Sequence, residues 1–281
     1  MIMFLTHLYV FVALLIATIV DLKKREVPDT VSYATIILAI TVALLHSLLI
    51  GSTQPFITMA LGMGLCLLIG AVMFFAGQWG GGDAKLIIGL GGFFGATTFL
   101  YEFLLLTIIA GAVYGIGFGV YLAIQRRETF KKTFRNIRTK KSILRMRIAF
   151  QILIVISLLL VFFVIQEQIL RLTIVILAAG LYLVFYAWMF SKALDECMKV
   201  QLPVSKLVEG DWVLGEITTK GKTIEAARFG ITKKQIDELK KHKVKKVLVK
   251  EGIPFVPSFM LAYLAAITLQ LLGISPIALL F

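Results

Sequence analysis

The topology of this 281-residue chain turns on one stretch, Ala84-Lys85-Leu86-Ile87-Ile88-Gly89-Leu90-Gly91-Gly92-Phe93-Phe94-Gly95-Ala96-Thr97. It is apolar but has only 14 residues, four of them glycine. A helix needs about 20 apolar residues to cross the hydrocarbon core, so the stretch reads as a short span, a tilted span or a re-entrant element. Seven other apolar runs meet the length test: Met3 to Val20, Val31 to Ile50, Phe56 to Gly77, Tyr101 to Ile124, Ile148 to Ile165, Ile169 to Phe190 and Phe255 to Gly273. With 59% apolar side chains, 16% charged ones and a mean hydropathy of +0.93, the composition excludes a soluble domain.

Charge decides whether the short stretch crosses, because Lys and Arg are retained on the cytoplasmic side. If it does, 28 of the 29 basic residues fall on one face, in 21–30, at Lys85, in 125–147 and in 191–254, and Arg171 alone faces the other way. If it does not, the ten bases between Gln125 and Arg147 face outward against the rule. The expectation is therefore an all-α polytopic membrane protein with about eight transmembrane helices, multi-pass in the plasma membrane, both termini outside. The first 20 residues hold no Lys or Arg and the cluster Lys23-Lys24-Arg25 follows them, the reverse of a secretory signal peptide.

The net charge of +13 is concentrated in one place. Residues 125–147 hold ten bases and one acid, Glu128, and read as a basic cytoplasmic loop lying on anionic lipid headgroups. Nucleic-acid binding is not expected, since no aromatic stacking module accompanies the charge. Residues 191–254 carry 14 bases and 9 acids and read as a small α/β cytoplasmic insertion before the last helix. In it Asp211 to Ile217 has strand composition, Thr232 precedes a capped helix over Lys233 to Lys241, and Val244 to Lys250 alternates at period two. The domain scheme is thus 1–124 as a catalytic membrane domain of five spans, 125–147, 148–190 with two spans, 191–254, and 255–281 with the last span.

Ionisable groups at a span boundary are costly and point to function. Asp21 follows the first run in Asp21-Leu22-Lys23-Lys24-Arg25-Glu26-Val27-Pro28-Asp29, and Asp83 ends Trp79-Gly80-Gly81-Gly82-Asp83 before the fourth. The topology puts both at the cytoplasmic edge. Two carboxylates brought together there share a proton, one polarising a peptide carbonyl and the other taking a proton from water. Gly80, Gly81 and Gly82 allow unusual backbone conformations and close approach of an extended substrate, or mark only a tight turn and close helix packing. Pro28 is placed to start the second helix.

These paired motifs, with Gly252-Ile253-Pro254-Phe255-Val256-Pro257-Ser258-Phe259 leading into the last span, resemble the type IV prepilin peptidase family of GxGD aspartyl proteases, in its archaeal preflagellin and prepilin peptidase form. The resemblance implies removal of the basic leader, a class III signal peptide, from prepilin-like or preflagellin-like membrane proteins at the cytoplasmic face. It makes Asp21 and Asp83 the catalytic pair and places Lys85 in the supporting loop. Glu26 and Asp29 either receive the substrate's leader or neutralise Lys23, Lys24 and Arg25. Bacterial members commonly carry paired CxxC motifs after the first span and methylate the new N-terminus. Here that loop is about ten residues long and holds no cysteine, so proteolysis without methylation is expected, with no cofactor and no metal.

Two other classes stay open at this point. A proton- or cation-coupled transporter or channel fits membrane-edge acids, although no repeat and no midplane acid is visible. A metal-dependent membrane hydrolase would use Asp21, Asp29 and Asp83 as oxygen ligands. His7, His46 and His242 are too dispersed for an HExxH zinc protease.

Overall fold

The computed structural model describes residues 2–163, 166–215, 217–219, 222–224 and 230–278. The chain divides into two compact units, residues 1–118 with 252–281, and residues 119–251. Ten helices and five strands are formed among the described residues.

The first unit is built from α1 (Ile2–Lys24), α2 (Asp29–Ile50), α3 (Gln54–Phe75), α4 (Gly81–Phe94), most of α5 (Thr98–Gln125) and α10 (Val256–Leu271). Prolines start three of these helices, because a proline in the first turn gives up only an amide that has no intrahelical partner. Pro28 is the N-cap of α2, as expected, and Pro55 and Pro257 occupy the first turns of α3 and α10. Gly51 ends α2 and Gly95 ends α4 at positive φ, 63° and 60°. Left-handed backbone of this kind carries no Cβ penalty in glycine.

The short fourth stretch is a buried helix packed against α2 and α3. Its glycines explain how it fits. A Cβ on Gly89 would lie 2.7 Å from the Thr35 methyl, one on Gly91 2.5 Å from Cys66 Sγ, and one on Gly92 2.9 Å from the Ala39 Cβ. Helix α4 also runs antiparallel to α3. Ala84 faces Gly70, and just past the other end of α4 the Ala96 amide donates to the Thr58 carbonyl at 2.8 Å. Fourteen residues extend only about 21 Å, against about 33 Å for the 22-residue α3. Being enclosed by protein, α4 need not match the hydrocarbon thickness.

Among the described residues six helices are long and apolar enough to cross a membrane: α1, α2, α3, α5, and, in the second unit, α7 (Lys141–Phe163) and α8 (Gln168–Cys197). With α4 and the 16-residue α10 they account for the eight apolar runs, the last two being short. The end of the sixth run, 164–165, lies outside the described residues. Residues 125–147 are not a loop. They form the amphipathic helix α6 (Arg127–Thr139) and the first turns of α7. Phe130, Phe134 and Ile137, spaced at four and three, make an apolar stripe; Phe130 meets Phe190 of α8 edge-on at 5.3 Å and the other two pack on Ile143, Phe185 and Met189. Charge dominated the reading of this segment and concealed the helical period beneath it.

The rest of the second unit is the small α/β insertion. Helix α8 runs seven residues past the end expected at Phe190. Strand β5 (Lys246–Lys250) is the centre of a sheet, antiparallel to β1 (Lys199–Pro203) on one side and β2 (Trp212–Val213) on the other. Val247 and Val249 are buried and alternate with exposed or partly exposed neighbours, as the period-two pattern required. Helix α9 (Lys233–Lys241) adds Ile236 and Leu239 to the same core, and Thr232 caps it by accepting from the Gln235 amide. The strand expected over Asp211 to Ile217 is divided: β2 covers its start, residue 216 lies outside the described residues, and Ile217 opens β3 (Ile217–Thr219), which pairs with β4 (Lys222–Ile224).

Candidate active site

Asp21 and Asp83 both stand in the first unit, and the charge of Asp21 acts on the Asp83 carboxyl. Helix α1 continues one turn beyond its apolar run, because residues 21–24 still fit the helix, and that turn carries Asp21 into the protein with 3% of its surface exposed. Its Oδ2 accepts a hydrogen bond from the Val256 amide at 2.9 Å, at the start of α10. The turn closes with Arg25 in left-handed backbone, φ 59°, and its guanidinium donates to the Gly252 carbonyl at 3.1 Å. The segment leading into the last helix is thereby fixed against the end of the first.

Asp83 stands in the first turn of α4, where its Oδ2 accepts from the Gly80 amide at 2.9 Å. A carboxylate there complements the helix dipole and satisfies an amide with no partner inside the helix. Burial, and after it the nearby charge of Asp21, push the Asp83 carboxyl up to about 7, while the Gly80 hydrogen bond pulls it down. Electrostatic coupling is what two carboxyls at one site produce.

Of the two readings of the glycine run, close packing is seen at Gly82. None of Gly80, Gly81 and Gly82 has positive φ. Gly82 is required by close approach, since a Cβ there would lie 2.8 Å from the Val27 Cβ and 3.1 Å from the Val27 carbonyl. Ser32 donates to the Gly82 carbonyl at 3.4 Å. Sequence positions 25–29 and 79–83 are thus held face to face, and the absent side chain is filled by Val27 of the same protein.

Lys85 and Asp29 also meet. Lys85 Nζ lies 2.7 Å from Asp29 Oδ1 and 4.8 Å above the Tyr33 ring. This partly exposed contact joins α2 to the start of α4. Glu26 is half-buried on the turn between α1 and α2. Asp29 does not join the aspartate pair, and among the described residues no three His, Cys, Asp or Glu side chains gather as a metal site would require. Cys66 and Cys197 are both buried free thiols.

Two contributors were not singled out from sequence. The Val256 amide is invisible because any residue supplies one, and only the proline-framed Pro254-Phe255-Val256-Pro257 marks the place. Trp79 is 7% exposed and packs against Phe255 and Phe259 with centroids 5.3 and 5.2 Å away. It stands four residues before Asp83, and its position next to the glycine run was the available signal.

Residues 8–116, which include both aspartates, match the type IV leader peptidase family model. A preflagellin peptidase from Methanococcus voltae is 33% identical over 78 residues, 28% of this chain and 33% of that protein. The chain thus spans about a third of the length of the curated relative it matches. No solved structure matches. Over residues 8–116 the resemblance to this family is borne out: that part of the chain is similar to type IV leader peptidases.

Proposed function

We propose that this chain is a membrane aspartyl endopeptidase that removes the basic leader of prepilin-like or preflagellin-like membrane proteins at the cytoplasmic face. The observation that carries the reading is the electrostatic meeting of Asp21 and Asp83 inside the stretch that matches a leader peptidase family. Residues 1–124 and the start of α10 form the catalytic part, and the 191–254 insertion is non-catalytic.

Burial raises both carboxyls, and at Asp21 the Val256 amide and Arg25 offset it only in part. The two therefore share a proton and titrate as a unit. One carboxyl is then the base and the other the acid. The ionised one takes a proton from water as the water oxygen adds to the scissile carbonyl, while the protonated one donates its proton to the carbonyl oxygen. Collapse of the tetrahedral species breaks the C–N bond and a proton passes to the leaving nitrogen. The products are a leader ending in a carboxyl group and a helix beginning with a free amine, and no methyl transfer follows.

Glu26 supports recognition of the basic leader through its charge at the rim. Asp29, already paired with Lys85, serves to hold the Asp83 loop. The bases of α6, with its apolar stripe packed inward, suit a helix lying on anionic headgroups. Incubating purified protein with a peptide made of a basic leader and an apolar helix, with and without EDTA, tests the reading. Cleavage unaffected by chelation and abolished by Asp21→Asn and by Asp83→Asn is expected; retained cleavage in either variant sinks the pair. Cysteine probes at Arg138 and Lys245 should label from the cytoplasm only, and outward labelling contradicts the orientation.

A further inference from the structure

Four buried polar side-chain atoms among the described residues lack a hydrogen-bond partner, and three of them belong to the first unit: Thr18 Oγ1, Trp79 Nε1 and the Tyr114 hydroxyl. Such groups are rare in folded proteins because leaving one unpaired costs about 1–3 kcal/mol. Two of them stand one turn before an aspartate and the third shares a neighbour with one of these. Thr18 is one turn before Asp21 on α1. Trp79 lies four residues before Asp83, against Phe255. Tyr114 is one turn beyond Gly111, whose Cβ would come within 2.9 Å of the same Phe255 ring. Phe255 in turn precedes Val256, the residue bonded to Asp21.

A peptide bond at the start of a membrane helix reaches two carboxyls only after its backbone is unwound. Unwinding releases carbonyl oxygens that had internal partners, and in a site shielded from water each must find a donor. The pair of orphaned donors beside the aspartates is what that event needs. We infer that the Trp79 indole N–H and the Tyr114 O–H are the donors that receive the unwound backbone carbonyls of the substrate flanking the scissile bond. The inference rests on the peptidase reading and assigns substrate-binding residues to it. The donors stay unpaired in the free protein because carbonyl acceptors arrive only with the substrate.

The physical signature has two signs. Removing an orphaned donor relieves the free protein of an unsatisfied group, whereas it leaves a substrate carbonyl unpaired. Tyr114→Phe deletes the hydroxyl alone. At position 79, 3-benzothienylalanine keeps the shape of the indole without its N–H, and Trp79→Phe serves as a second variant. With the leader–helix peptide as substrate, each change should raise KM about tenfold with a smaller effect on kcat, and the unfolding temperature should be equal to the wild type's or higher. An unchanged KM in Tyr114→Phe and in the benzothienyl protein overturns the inference, as does a fall in unfolding temperature that accounts for the loss. Binding of the same peptide to Asp83→Asn protein separates this from the parent reading. Binding about tenfold weaker after adding Tyr114→Phe supports the donors and equal binding overturns them, while absence of cleavage by the wild-type chain overturns the peptidase reading alone.

Discussion

The two units use apolar helices in opposite ways. In the first, α4 and α10 are largely enclosed by protein, glycine and small residues set the spacing between helices, and polar groups including Asp21, Ser32, Thr35 and Ser258 are buried. In the second, α7 buries only Ile143 of its 23 residues, and α8 buries Ala178, Phe185, Met189, Ala193 and Cys197 of its 30. A helix whose surface is left to lipid needs only hydrophobicity, which many sequences supply. A helix packed on all sides must also match its neighbours atom by atom, because association between helices in lipid depends on close packing and not on exclusion of water. The difference teaches where substitutions should be felt.

The largest contrast is predicted for function. Asp21→Asn and Asp83→Asn should reduce cleavage to background, whereas neutralising any single base of α6, such as Lys132→Gln, should leave kcat/KM within about twofold, each such base contributing about 1 kcal/mol to surface attraction. A comparable loss from the α6 variant would break the division between the units.

Titration of Asp83 gives the next effect. Its carboxyl is raised from an ordinary value near 4 to about 7, so the neutral form is favoured by folding. The associated stability is fully present below about pH 4 and is lost as pH rises through 7. Asp83→Asn keeps an acceptor for the Gly80 amide but cannot ionise. Its unfolding temperature should match the wild type's near pH 4 and exceed it near pH 8, by up to about 4 kcal/mol of stability. Equal curves at both pH values would show that Asp83 is not held neutral. For the same reason cleavage should fall as pH rises past about 7, when the proton shared by the pair is lost.

Glycine substitutions sharpen the packing comparison. Gly91→Ala puts a methyl 2.5 Å from Cys66 Sγ and 2.6 Å from the Gly62 carbonyl, and should cost about 2–3 kcal/mol in thermal or denaturant unfolding. Gly180→Ala on α8 meets nothing within 4 Å and should be neutral or stabilising. Smallest of all is the surface pair. Lys85→Met should change stability by less than about 1 kcal/mol, since Asp29 is 64% exposed, so any large loss of cleavage in that variant would report on the Asp83 loop and not on folding.

Much of this was readable from residues alone, for identifiable reasons. Apolar runs are a one-dimensional property, so the membrane class and the place of each run could be read directly, as could the capped helix after Thr232 and the alternating Val247 and Val249. Residues 125–147 misled because composition was weighed and the spacing of Phe130, Phe134 and Ile137 was not. The glycines of the site left two readings open for a different reason: the space next to Gly82 is taken by Val27, a neighbour 55 positions away in sequence that no local rule identifies.

By itself, then, the sequence determined that the chain is a polytopic membrane protein and singled out Asp21 and Asp83 as the two carboxyls worth pairing, because hydrophobicity, charge and spacing act locally along the chain. Tertiary structure alone decided that α10 reaches back to bond Asp21, that α4 passes enclosed beside α3, and that Trp79 and the Gly111 turn before Tyr114 meet the same Phe255 ring. Those are meetings of residues from 14 to 235 positions apart, and their geometry depends on which surfaces fit, a property of the folded chain that no single segment carries.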